Sequence, residues 1–422
     1  MLLIGDDITS TVRTSMEDHS TTLEIRYPPG QIPSVTSGAS ALSNVIATEL
    51  EYIFAEEQAI VDFILMNSAS SSLAGQAVPG SGREPRARQN KKLDQETLSR
   101  LSNRMTRSLK YATTYHLTFS LISPTALPSS WEIENAIKQY LDPILTPLAM
   151  VSEFRVDTQV QLYAKLAPST PAPEYDEESG VWTLRNEDLS SFINAAEWPL
   201  SPSIGAGPTL NFVLYVPSSP NSPLVVKGSR STSWLIPQWG GVVLLNEHGG
   251  FNGTKSLSKE QIRPALLTFS HQLMALMGAP HSPPSFPLQM QSLVRIQALS
   301  LLLSASSTMG SLARLTVALP SIAIPETVSS AVDGTLGHLH ATCRALKHGQ
   351  FGNALEHARI AEAQAEKGFF EKSMVGQVYF PDEHKVAVYL PLLGPIGVPL
   401  FMSAAKELKR IISALRNRGA SR

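Results

Sequence analysis

Tyr111 to Ser123 reads YATTYHLTFSLIS. β-branched and aromatic side chains crowd this stretch, and they fit the pleated surface of a strand better than the turns of a helix, where they lose rotamer freedom. Beyond it the period changes. From Trp131 to Met150, the residues Ile133, Ile137, Leu141, Ile144, Leu145 and Leu148 recur at helical spacing. Ser130 is placed to cap that helix, and Glu132 and Glu134 suit the positive end of its dipole. Phe154 to Leu166, FRVDTQVQLYAKL, returns to period two and reads as a half-buried strand.

The alternation continues downstream. A Pro- and acid-rich loop (168–180) leads to Val181-Trp182-Thr183-Leu184 and a short helix from Asn186 to Trp198. LNFVLYV (210–216) is a continuous apolar run between prolines, as expected of a strand covered on both faces. PLVVKG (223–228) and GGVVLLN (240–246) read as further strands. Residues 258–318 are helical, with one helix to Gly278, a proline break at 280–287 and a second helix from Leu288 to about Ser304. Residues 325–372 give two more helices around a turn at Gly349 and Gly352. Upstream, Leu42, Val45, Ile46, Leu50, Ile53 and Phe54 mark an amphipathic helix over 40–66. The expected fold class is therefore α/β (α+β), a sheet flanked by helices, with no internal repeat.

Among 422 residues, 43% are hydrophobic and 17% charged, with a net charge of -2. Such a chain can bury a sizeable core, and nothing global marks a nucleic-acid binder. With Cys343 as its single cysteine, the chain forms no internal disulfide. Asp6 and Asp7 interrupt the start, so no signal peptide is read there.

The long charge-free apolar stretch lies at the other end. Val386 to Ala405, VAVYLPLLGPIGVPLFMSAA, is 20 residues between Lys385 and Lys406. At 1.5 Å per residue it reaches roughly 30 Å, the thickness of a bilayer's hydrocarbon core. Pro391, Pro395 and Pro399 share one helical face, with Gly394 and Gly397 between them. They predict a kinked transmembrane helix packed against partner helices; the alternative is a buried C-terminal hairpin. Lys406, Lys409, Arg410, Arg416, Arg418 and Arg422 follow against one acid, Glu407. The bias of basic residues toward the cytoplasmic side places this tail in the cytosol and the body on the far side.

Three further features bear on chemistry. Arg83, Arg86, Arg88, Lys91, Lys92, Arg100, Arg104, Arg107 and Lys110 face three acids, which reads as a site for anionic lipid or phosphate, or as a solvated loop entering a short helix. Ser68 to Gly82 is Ser/Ala/Gly-rich and reads as a flexible loop. Asn252-Gly253-Thr254 is a usable glycosylation sequon. Cys343 has His338 and His340 nearby, yet a nucleophile needs an oriented base and an oxyanion site, and a lone cysteine in an amphipathic helix is more often a small packing residue. No catalytic, cofactor-binding or metal site is read; the Gly240-Gly241 and Gly249-Gly250 pairs are turns.

Three stretches carry a resemblance to a known family. The first joins Tyr115–Ser123 to Trp131-Glu132-Ile133-Glu134-Asn135-Ala136 and on through Tyr140. The second is LNFVLYVP (210–217), with Ser222-Pro223-Leu224 and Trp239-Gly240-Gly241-Val242. The third runs from Phe369-Phe370 through Tyr379-Phe380-Pro381-Asp382 and Lys385 into Tyr389-Leu390-Pro391-Leu392, then Pro395, Val398 and Pro399. In this order, across roughly residues 111–410, they resemble the PIG-S family, phosphatidylinositol-glycan biosynthesis class S.

The resemblance implies a non-catalytic accessory subunit of the endoplasmic-reticulum GPI transamidase. Its partners would be the other subunits, including the cysteine-protease-like catalytic one, the membrane lipid, the GPI lipid and the proprotein. The expected division is an N-terminal lumenal segment (1–67), a basic linker (68–110), a lumenal α/β domain (111–385), a transmembrane helix (386–405) and a cytosolic tail (406–422). The family's first transmembrane helix has no counterpart here, so either the chain starts late or it inserts by its C-terminal helix alone. Two rivals stand beside this reading: a hydrolase using Cys343 and a histidine, and a tail-anchored adaptor with a cytosolic domain.

Overall fold

A computed structural model describes residues 2–6, 13–16, 22–27, 41–73, 95–166, 170–190, 192, 207–246, 255–320, 322–374 and 382–419. It divides into two compact units, Met1–Ser300 with Ala345–Glu356, and Leu301–Arg344 with His357–Arg422.

The first unit opens on three short strands, β1 (Leu2–Asp6), β2 (Arg13–Met16) and β3 (Leu23–Tyr27), ordered β1-β3-β2. Their four- and five-residue runs are too short to show a period. Leu23 and Ile25 are buried with Ile53, against Ile46 and Phe54. The single amphipathic helix expected over 40–66 is two helices, α1 (Ala41–Ile53) and α2 (Ala55–Leu73), broken at Phe54. Helix α2 extends through Ser68–Leu73, so the first part of the expected flexible loop is helical; residues 74–94 lie outside the described residues. In α3 (Gln95–Arg107), Leu101 is buried with Ile60 and Ile296.

The stretch that opened the sequence is β4 (Thr114–Ile122), and all but its first residue is buried. Next come β5 (Ser130–Trp131), α4 (Ile133–Ala136), a π turn (Ile137–Leu141), α5 (Asp142–Leu148) and β6 (Glu153–Gln161). Ser130 is not a helix cap. It lies in β5, which pairs with β13 (Ser256–Leu257). Position 132 holds the cap, without a side-chain cap bond of its own. Instead the Glu132 carboxylate accepts from the Lys259 N–H at 3.1 Å, serving the first turn of α6 (Lys259–Leu276). Ser258 and Gln261 close a reciprocal capping box there.

The main sheet runs in the order β11-β12-β9-β4-β6. It adds β9 (Thr209–Tyr215), β11 (Ser233–Ile236) and β12 (Gly240–Leu244), with β4, β6, β9 and β12 parallel and β11 antiparallel. Strand β11 was missed because SWLI is only four residues long. On one face Phe119 and Phe212 stand in register and meet Phe269 of α6, with ring centroids 5.2–5.9 Å apart. On the other, Ile122, Val213 and Tyr215 pack with Leu184 and Leu224. These last two come from a small sheet of β10 (Leu224–Val226), β8 (Val181–Leu184) and β7 (Glu174–Asp176). LNFVLYV is thus covered on both faces, as its unbroken hydrophobicity predicts.

Strand β6 sits at the sheet edge and is more exposed than expected, with Val156 at 36% and Val160 at 38%. Of the helix expected from Asn186, a 3-10 turn over Asn186–Asp188 is seen, and residues 193–206 lie outside the described residues. A Cβ on Gly241 would overlap Gln272 Oε1. The Gln272 side chain crosses β12 there and donates to the Trp234 carbonyl at 3.0 Å, pinning α6 to the sheet.

The second unit is helical. Helix α7 (Phe286–Ala318) enters it at Leu301 and runs well past the expected end near Ser304. Helices α8 (Glu326–Lys347) and α9 (Phe351–Phe369) and the long α10 (Asp382–Gly419) complete it. Small residues let the helices approach closely: Ala305, Ala361 and Ala365 share one core, and Leu312, Val328 and Met374 another. Ser304 donates to Glu362 at 2.6 Å.

Candidate functional site

Helix α10 continues without interruption through Pro391, Pro395 and Pro399 and through most of the basic tail. Each proline removes one backbone donor from the ladder. Its apolar side chains point outward all round: Tyr389 is 55% exposed, Leu390 69%, Ile396 67% and Phe401 81%. A helix apolar on every side belongs in a core or a bilayer, and among the described residues no core cluster includes α10. Gly394 and Gly397 open a shallow apolar hollow of about 530 Å³ beside Leu390, Leu393 and Phe401. Among the described residues, α7 also has a span's length and mean hydropathy, at 1.2. In α7, Leu293, Ile296, Leu301, Ala305 and Leu312 are buried, and 28% of its apolar stretch lies inside.

Cys343 is exposed on α8. His338 turns to His357 of α9, Nδ1 to Nδ1 at 3.1 Å, and among the described residues no hydrogen bond joins either histidine of the HLH sequence to the thiol. Two facing ring nitrogens at that distance need one donor and one acceptor. No cluster of three metal-ligating side chains is present among the described residues. Asn252 lies outside the described residues.

Part of the basic stretch acquires a definite place. Arg83 to Lys92 are outside the described residues, but Arg100, Arg104 and Arg107 lie on one face of α3 and line a cleft of about 1090 Å³ in the first unit. The lining also includes His271 of α6 and the backbone edge of β11 at Trp234, whose ring packs on Phe192. Two adjacent carboxylates at the head of α2 hold this region together. Glu56 pairs with Arg104 and accepts from the His281 and Ser282 N–H groups at 2.8 and 2.7 Å. Arg104 also donates to the Ala279 carbonyl.

Glu57 turns the other way. It takes both arms of Arg295 at 2.6 Å and the Ser292 hydroxyl at 2.6 Å. The Arg295 guanidinium lies over Phe54 and Phe351, 5.6 and 5.0 Å from the ring centres. Burial would raise the Glu57 pKa, but the hydrogen bonds from Arg295 and Ser292 and the Arg295 charge outweigh it and hold the carboxyl below its usual value. Both acids lie within the amphipathic helix expected over 40–66. Their adjacency in a first turn was the available signal, and their partners are 48 and 238 residues away.

The family model for phosphatidylinositol-glycan biosynthesis class S protein matches residues 1–414. The chain is 30% identical over 326 residues to the GPI-anchor transamidase component PIGS of Bos taurus, covering 71% of this chain and 58% of the relative. It is 30% identical over 327 residues to the Homo sapiens protein of that name, with coverage of 71% and 58%. It is 31% identical over 320 residues to the GPI transamidase component PIG-S homolog of Schizosaccharomyces pombe, with coverage of 72% and 56%. The chain thus spans less than two thirds of the length of these relatives. With its strands, its aromatic core and its proline-bearing terminal helix matched from residue 1 to residue 414, this chain belongs to the phosphatidylinositol-glycan biosynthesis class S protein family.

Proposed function

We propose that this protein is a non-catalytic subunit of the endoplasmic-reticulum GPI transamidase. It would hold a lumenal α/β body (111–385) beside the subunits that attach preassembled GPI to proproteins. Residues 386–405 of α10 cross the membrane, and the basic end, 406–422, lies in the cytosol. The observation that carries the anchor is α10 itself: a charge-free apolar run in which Tyr389, Leu390, Ile396 and Phe401 face outward on different sides of the helix. Exposed in water, such a surface would drive aggregation; in lipid it is solvated. The assembly role is supported by the relatives, which are named as components of that complex. An accessory rather than catalytic role is supported by Cys343, which stands on an exposed helix face while His338 is engaged by His357. Partners are the other subunits, including the cysteine-protease-like one, with the GPI lipid and proprotein as candidates for handling by the body.

The test is affinity purification of the tagged full chain from microsomes in mild detergent. Recovery of the protease-like subunit is the expected result, and a clean monomer across several detergents overturns the reading. If the body is lumenal, Asn252 is open to glycosylation. A glycosidase-sensitive size shift that disappears in Asn252→Gln places the body there, whereas protease digestion of the body in sealed microsomes contradicts it.

A further inference from the structure

The cleft beside α3 has a charge pattern that the packing of the first unit does not use. Three arginines line it against a single carboxylate, Glu56. Glu56 is fully engaged: one oxygen meets Arg104, and the other accepts two backbone N–H groups. Arg104 is likewise committed, to Glu56 and to the Ala279 carbonyl. Arg100 and Arg107 are different. Both are exposed, and neither has an ion pair among the described residues. They stand one turn above and below Arg104 on the same helical face, since steps of four and three residues return to that face.

Helix α3 is fixed in this orientation from beneath. Leu101 is buried against Ile60 and Ile296, so α3 cannot turn its arginines away without exposing that contact. The lining also includes Tyr52 of α1, 77% exposed, with His271 and the Thr268 hydroxyl on α6. Arginine forks match phosphate oxygens in pairs. The exposed Tyr52 ring offers an apolar face with a polar edge, suited to a ring-shaped polyol. A cleft of about 1090 Å³ is at the upper end of what small-molecule sites occupy and far larger than one anion needs.

We infer that this cleft binds a phosphate-bearing, polyhydroxylated headgroup, its phosphate held by Arg100 and Arg107 and its ring set against Tyr52. The site gives the proposed function a headgroup-binding surface and rests on that reading for its biological context. The binding itself is a property of this chain alone.

The experiment uses the purified full chain in neutral detergent and three probes: inositol 1-phosphate, phosphatidylinositol in the micelle and inorganic phosphate. Binding is followed by calorimetry in wild type and in the Arg100→Ala/Arg107→Ala double variant. Both side chains are exposed and unpaired, so the variant should melt within a degree or two of wild type; Arg104 is left alone because it is structural. The expected result is headgroup binding that weakens tenfold or more in the double variant, falls with added salt and is partly kept by Arg100→Lys/Arg107→Lys. Binding of inositol 1-phosphate identifies a soluble source, and binding of phosphatidylinositol alone a lipid one. Equal affinity in wild type and variant, binding of inorganic phosphate without either headgroup, or no binding overturns the inference. Co-purification of wild type with the protease-like subunit separates the two ideas: no recovery of that subunit counts against the proposed function, and assembly without headgroup binding by wild type counts against the cleft alone.

Discussion

Replacing Ile396 by Arg should release the protein from the membrane while leaving its folded body unchanged. Ile396 is at the middle of the 386–405 run, about 15 Å along the helix from either end, too far for an arginine to reach both headgroup layers with ease. That run holds nine Leu, Ile, Val and Phe residues. At roughly 0.3–0.6 kcal/mol each near the bilayer centre, they favour insertion by roughly 3–5 kcal/mol, before the three prolines subtract from it. A central arginine costs about 2.5–3.5 kcal/mol, and losing the isoleucine adds about 0.5. The swap therefore removes roughly 3–4 kcal/mol, most of what holds the helix in, and shifts the insertion equilibrium a few hundredfold. Ile396 is 67% exposed, so the substitution touches no core. In alkaline carbonate extraction of microsomes, wild type should stay in the pellet and Ile396→Arg should move largely to the supernatant, with the thermal melt of the body unchanged. Retention of the variant as firm as wild type, or extraction of wild type itself, would refute the reasoning.

Other outcomes follow from the packing. Glu57→Gln should lower stability by about 2–3 kcal/mol, because it leaves Arg295 half-buried without its counter-charge. The Glu57 pKa is depressed in the fold, so its contribution is present above the unfolded carboxylate pKa and fades as pH falls through the folded one. Thermal melts of wild type and Glu57→Gln should accordingly converge in acid. Gly241→Ala should destabilise by roughly 1–3 kcal/mol, since its methyl would overlap Gln272; adding Gln272→Ala should recover part of that in a thermal-shift assay. Cys343→Ala should leave GPI attachment and complex assembly at wild-type levels in complemented cells, whereas lost attachment with intact assembly would favour the hydrolase.

The central strands were legible by composition: LNFVLYV is apolar but for Asn211, and YHLTFSLI is rich in β-branched and aromatic residues, although its alternating His116, Thr118 and Ser120 do not foretell that both of its faces are buried. A terminal helix was legible from the charge-free run 386–405, but not its extension to Gly419. Where reading failed, the deciding contact was remote. Ser130 looks like a cap from its neighbours, but pairing with Ser256 draws it into a strand, and Glu132 serves a helix that begins 127 residues later. Helix α7 outran its expected end because its last turns are held by remote contacts, Ala305 with Ala361 and Ala365, and Leu312 with Val328 and Met374. The cleft lies furthest from local pattern. Its arginines were visible as a charged run, but the sequence does not say which of them Glu56 neutralises and which remain available.

Helix α10 does not end where its apolar run ends. Its 38 residues make a rod of about 57 Å, nearly twice a bilayer's hydrocarbon thickness. With the apolar run embedded, Lys406, Lys409 and Arg410 ride on a stiff spar rather than a slack tether. A molecule that gripped that spar could twist or tilt the embedded segment as a single piece, a mechanical linkage across the membrane that a limp tail would lack.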